Sequence, residues 1–103
     1  MAKTIKTWAM KVKPGRVDDA MELFKAAKEA SNDAEISLLY AESAGEFSGN
    51  FLMSAEYPSA EAAGKADDEA MSTESGEALW RKFNDAKSPV ESIGNVVYTS
   101  VDL

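Results

Sequence analysis

The sequence predicts a single α+β domain spanning residues 1–103, with element order β-α-β-β-α-β, one antiparallel sheet and the helices packed on one face of it. Three observations predict this class. Four segments alternate apolar and polar residues with the two-residue period of a strand. Two segments, after the first and third strands, switch to the 3.6-residue period of an amphipathic helix. Between the second and third strands there is only a short glycine-containing stretch, which most simply closes a hairpin.

The first strand is expected over Thr4–Val12, with Trp8, Met10 and Val12 on one face and Ile5, Thr7 and Ala9 on the other. Pro14-Gly15 ends it, because proline cannot donate to a ladder and glycine permits the turn. From Arg16 to about Asn32 the period is helical. Val17, Ala20, Met21, Leu23, Phe24, Ala27 and Ala30 share one side, and Asp18 and Asp19 sit in the first turn, where negative charge suits the helix dipole. Glu35–Glu42 reads as the second strand, Ser43–Gly49 as a loop, and Asn50–Tyr57 as the third strand, with Phe51, Met53, Ala55 and Tyr57 on one face. Pro58-Ser59 stops it and offers Ser59 as the N-cap of an alanine-rich helix to about Met71. After an interruption at Ser72–Gly76, a second short helix over Glu77–Ala86 aligns Leu79, Trp80 and Phe83. Ser88-Pro89 ends that helix, and Asn95–Leu103 is the expected last strand. This order is the split βαβ or ferredoxin-like arrangement.

Composition narrows the function classes. The chain carries 11 basic and 18 acidic residues, a net charge of −7, with no histidine and no cysteine. That balance argues against a nucleic-acid partner, whose phosphates are neutralised by Lys and Arg, and against an anionic membrane surface. Without His or Cys there is no imidazole base, thiolate nucleophile, disulfide or imidazole haem ligand. No cofactor and no metal site are expected. No stretch approaches the roughly 18 apolar residues of a membrane span and no secretory signal follows Met1, so the expected location is the cytoplasm. Leu, Ile, Val and Phe number only 19, and a chain this short buries about 60–70% of its unfolded surface. Both faces of every strand carry apolar side chains, which predicts a homodimer that covers the face left by the helices.

Three stretches carry a resemblance. Met10-Lys11-Val12-Lys13-Pro14-Gly15-Arg16 with the amphipathic run behind it, Glu56-Tyr57-Pro58-Ser59-Ala60-Glu61-Ala62, and Ser88-Pro89-Val90-Glu91 resemble the dimeric α/β-barrel superfamily near its antibiotic-biosynthesis-monooxygenase and NIPSNAP-like groups. The resemblance implies two sheets paired as a barrel, with a cavity between sheet and helices. It also implies, as an alternative to simple binding, a cofactor-independent monooxygenase acting on an aromatic or polyketide-like substrate. Members that degrade haem or oxidise quinols often carry a histidine about nine positions after the W/Y. Here that count from Tyr57 lands on Ala66, beside Asp67, which speaks against haem degradation.

A small apolar or aromatic ligand is the expected occupant, and Trp8, Tyr57, Trp80, Phe83 and Tyr98 are the candidate lining, with Glu56 or a phenol as polar handle. The competing reading of these aromatics, and of Tyr40, is core and interface packing. Glu56 is either a general base in a cavity or an exposed strand position. Asp67, Asp68 and Glu69 point about 100° apart on a helix and so cannot converge on one cation. Asn84 and Asn95 satisfy backbone groups or meet a substrate carbonyl. Gly45 and Gly49 do not join a strand to a helix, as a dinucleotide loop requires.

Overall fold

The structure is a computed structural model that describes residues 2–31, 34–42 and 49–102. Within them the chain forms β1 (Thr4–Val12), α1 (Val17–Ala30), β2 (Glu35–Tyr40), β3 (Phe51–Tyr57), α2 (Ala60–Ser72), α3 (Glu74–Asn84) and β4 (Val90–Thr99). The expected loop at Ser43–Ser48, the helix end at Asn32 and the strand end at Leu103 lie outside the described residues.

The sheet is antiparallel with strand order β2-β3-β1-β4, so the first strand is central, as the ferredoxin-like arrangement requires. Register settles the two faces. Trp8 stands opposite Met53, and Leu38 opposite the same Met53, on the side the helices cover. Met10, Leu23, Phe24, Met53 and Val90 form the main core there, with Trp8, Phe51, Leu79 and Phe83 packed against it. The Phe24 ring lies 6.0 Å from Phe51 and 6.3 Å from Phe83, joining α1 to the sheet and to α3. A smaller cluster of Ala55, Tyr57 and Ala63 seats α2, whose alanines let it approach the sheet closely.

Local chemistry sets the element ends. Gly15 adopts φ 76°, which lets the chain reverse after Pro14, and the turn is strapped to the start of β4. Lys13 N donates to Pro89 O at 2.9 Å, Lys13 Nζ to Ala86 O at 2.9 Å and Arg16 Nη1 to Lys87 O at 3.0 Å. Ser59 caps α2 by accepting from Ala62 N at 3.1 Å. Thr73 does the same for α3, accepting from Gly76 N at 3.1 Å, so α3 begins at Glu74 rather than at the expected Glu77.

The last strand begins five residues before the expected Asn95. Ala9 pairs with Gly94 but Met10 pairs with Ser92, leaving Ile93 as an extra residue in the ladder. Such a bulge breaks the two-residue period that reveals a strand in sequence.

The far face of the sheet is bare. Ile5, Thr7, Ala9, Leu39, Leu52, Val96 and Tyr98 point there, with Leu39, Val96 and Tyr98 exposed. Charge sits at the ends of this surface, in the Lys3–Glu56 pair at 3.2 Å and in Lys11 opposite Glu91. The molecule measures 42 × 38 × 18 Å, the thickness of one sheet and one helix layer.

Candidate functional site

The six candidate residues divide between the two sheet faces. Trp8, Tyr57 and Phe83 lie on the helix side, Trp8 touching both core clusters. Tyr98 stands opposite Ile5 and Glu56 also pairs with Ile5, so both belong to the bare face, and Glu56 is held by Lys3. Register thus separates Trp8 from Tyr98, two members of the expected lining: the β4 residue opposite Trp8 is Asn95. Trp80 lies on α3 and is 53% exposed, neither enclosed in the core nor sealed into a cavity. Asn84 donates its side-chain amide to Trp80 O at 2.8 Å and is therefore a helix-end residue.

What the structure does bring together on the helix side is Lys6, Tyr57 and Asp67. Lys6 occupies the same β1 face as Thr4, Trp8 and Met10, two residues along from Thr4, the partner of Tyr57 on the neighbouring strand. Its side chain is only 15% exposed, and its ammonium donates to Asp67 Oδ2 on α2. The same ammonium sits over the Tyr57 ring, 5.7 Å from the centroid, at cation–π distance. Tyr57 is buried, and that burial pushes its phenol above the ordinary 10.0, with the Asp67 charge adding to the shift. The phenol therefore remains a neutral hydroxyl at physiological pH.

Lys6 and its pairing with Asp67 were missed in the sequence reading. The signal was present: counting by twos from Trp8 puts a lysine on the face that buries Met10 and Val12. A cation on a core-facing strand position needs a partner, and Asp67 is the one α2 supplies.

Open clefts lie elsewhere. One of about 460 Å³ runs between α1 and the α3–β4 connection, lined by Arg16, Asp19, Leu23, Lys82 and Pro89 among others. A second, of about 300 Å³, includes Phe83 with Lys13, Asn84 and Glu91. Neither contains Lys6, Tyr57 or Asp67.

No helix among the described residues is long and apolar enough to cross a membrane. No protein-family model matches this chain, and no curated protein matches it. Solved structures do. A NIPSNAP family protein from Agrobacterium tumefaciens superposes with TM-score 0.67 at 8% identity, over 97% of this chain and 87% of that one. An uncharacterized NIPSNAP-like domain protein from Burkholderia xenovorans gives TM-score 0.62 at 8% identity, over 98% and 85%. An antibiotic biosynthesis monooxygenase gives TM-score 0.55 at 17% identity, over 100% and 99%. At these identities the likeness is one of fold, and the chain shares the ferredoxin-like α+β fold of these proteins.

Proposed function

We propose that this chain acts as a symmetric homodimer, paired through the bare faces of its sheets, and that each subunit binds a small apolar or aromatic molecule on the helix side of its sheet. One observation carries the reading: large apolar side chains are left uncovered on both sides of a thin two-layer molecule. On the bare face, Leu39, Val96 and Tyr98 surround a centre of small residues, and the charged groups lie at its ends. An apolar centre with a polar rim is the anatomy of a protein interface, and self-pairing about a two-fold axis gives the commonest assembly. On the helix side, Val97 on β4 is exposed two residues along from Asn95, the partner of the half-buried Trp8, and Trp80 on α3 is also exposed. Aromatic and apolar lining with few polar groups suits a ring-containing ligand.

A cofactor-independent oxygenase is the weaker reading. Such an enzyme needs a free base beside its substrate, whereas Asp67 is engaged by Lys6 and Tyr57 holds its proton. Thermal unfolding in the presence of naphthalene- and anthracene-type compounds tests the binding reading. A ligand present at about 100 times its Kd stabilises the folded state by about 2.7 kcal/mol and raises Tm accordingly. A panel in which no such compound raises Tm contradicts it.

A further inference from the structure

We propose that the Lys6–Asp67 ion pair is the polar anchor of this site, and that it selects a ligand presenting a hydroxyl group over the matching hydrocarbon or carboxylate. The inference rests on the reading that an aromatic molecule binds on the helix side of the sheet.

Lysine is an unusual choice for the core-facing side of a central strand. Its side chain is only 15% exposed, and a cation so placed calls for partners. Asp67 takes one N–H and the Tyr57 ring offers its π face. An ammonium has three N–H donors, so donor capacity remains. Asp67 is 59% exposed and receives Lys6 on Oδ2, which leaves acceptor capacity on the solvent side of the pair. The pair thus presents a donor and an acceptor side by side.

The sheet next to it is uncovered. Val97 stands opposite Lys6 and Asn95 opposite Trp8, on the same face, and both are exposed. A flat apolar body laid over Val97 and Trp8 would bring one end to Lys6 and Asp67. A hydroxyl at that end satisfies both groups, accepting from Lys6 and donating to Asp67. A hydrocarbon would desolvate the pair and return no hydrogen bond. A carboxylate would meet the Asp67 charge on a protein of net charge −7. Tyr57, kept as a neutral phenol, adds no competing charge.

The test is an amide-resolved NMR titration of the wild-type protein with three probes of one ring skeleton and one ring position: naphthol, methylnaphthalene and naphthoate. Naphthol is expected to perturb the amides of Lys6, Trp8 and Asp67 and to bind about tenfold tighter than methylnaphthalene, the worth of one charge-assisted hydrogen bond. Naphthoate is expected to bind more weakly than naphthol. Asp67→Asn and Lys6→Met should each erase most of the preference for naphthol, weakening naphthol and relieving the desolvation cost that methylnaphthalene meets in the wild type. The wild-type comparison stands even if Lys6→Met does not fold. Equal affinity for naphthol and methylnaphthalene at these amides, or tighter binding of naphthoate, overturns the anchor while leaving the binding reading intact. If no probe perturbs the helix-side amides, both fall.

Discussion

Replacing Phe24 and Trp80 by alanine, one at a time, separates a core aromatic from a half-exposed one. Phe24 is 5% exposed and contacts two other rings, and deleting such a side chain costs about 3–5 kcal/mol, because a cavity is left inside packed surroundings. Trp80 is 53% exposed. A fully buried aromatic removes about 150–250 Å² from water, so Trp80 removes roughly 100 Å² and contributes about 2.5 kcal/mol at ~25 cal/mol per Å². No closed cavity forms where the site opens to solvent, so no further penalty applies. Urea unfolding followed by circular dichroism, at one protein concentration so that association contributes equally, reads both values. Phe24→Ala should therefore be the more damaging by about 0.5–2.5 kcal/mol. A Trp80→Ala variant as unstable as Phe24→Ala would refute the reasoning, and would place Trp80 in an enclosed environment in solution.

Three further predictions follow from particular contacts. Gly76→Ala should cost about 1–3 kcal/mol in the same unfolding assay, because a Cβ there would stand 2.1 Å from the Ala70 carbonyl oxygen, a backbone atom at the α2–α3 junction. Ser59→Ala should cost about 1 kcal/mol through loss of the α2 cap, and Ser59→Asp should recover most of it. For Tyr57 the folded state binds its proton more tightly than the unfolded chain does. Its contribution to stability is therefore complete below pH 10.0 and is lost as pH rises through the raised value. Unfolding measured at a series of alkaline pH values should thus fall less steeply for Tyr57→Phe than for wild type.

The fold was legible where turn chemistry and periodicity coincide. Pro14-Gly15 sets the end of β1, and Ser59 sets the start of α2, because each acts through its own backbone and its immediate neighbours. The start of β4 was not legible, since the bulge at Ile93 is a property of the pairing with β1 and interrupts the alternation. The site was less legible for the same reason. Alternation alone separates Glu56 from Tyr57, and the structure keeps them on opposite faces. That Tyr98 turns away from Trp8 depends on the antiparallel register, which no local pattern specifies. Lys6 and Asp67 are 61 positions apart, and only the packing of α2 over β1 and β3 makes them partners. In the sequence alone nothing distinguishes Asp67 from its acidic neighbours Asp68 and Glu69.

The central claim is that the bare sheet face pairs with a second copy of itself, and sedimentation equilibrium tests it most directly. The wild-type chain should sediment at twice its 11.1 kDa mass at micromolar concentration, consistent with an interface near the standard ~1,600 Å². Val96→Asp, which puts a carboxylate among the exposed apolar side chains of that face, should shift the equilibrium strongly toward the single chain while leaving its circular dichroism unchanged. A wild-type protein that remains an 11.1 kDa species at micromolar concentration and above would contradict the claim.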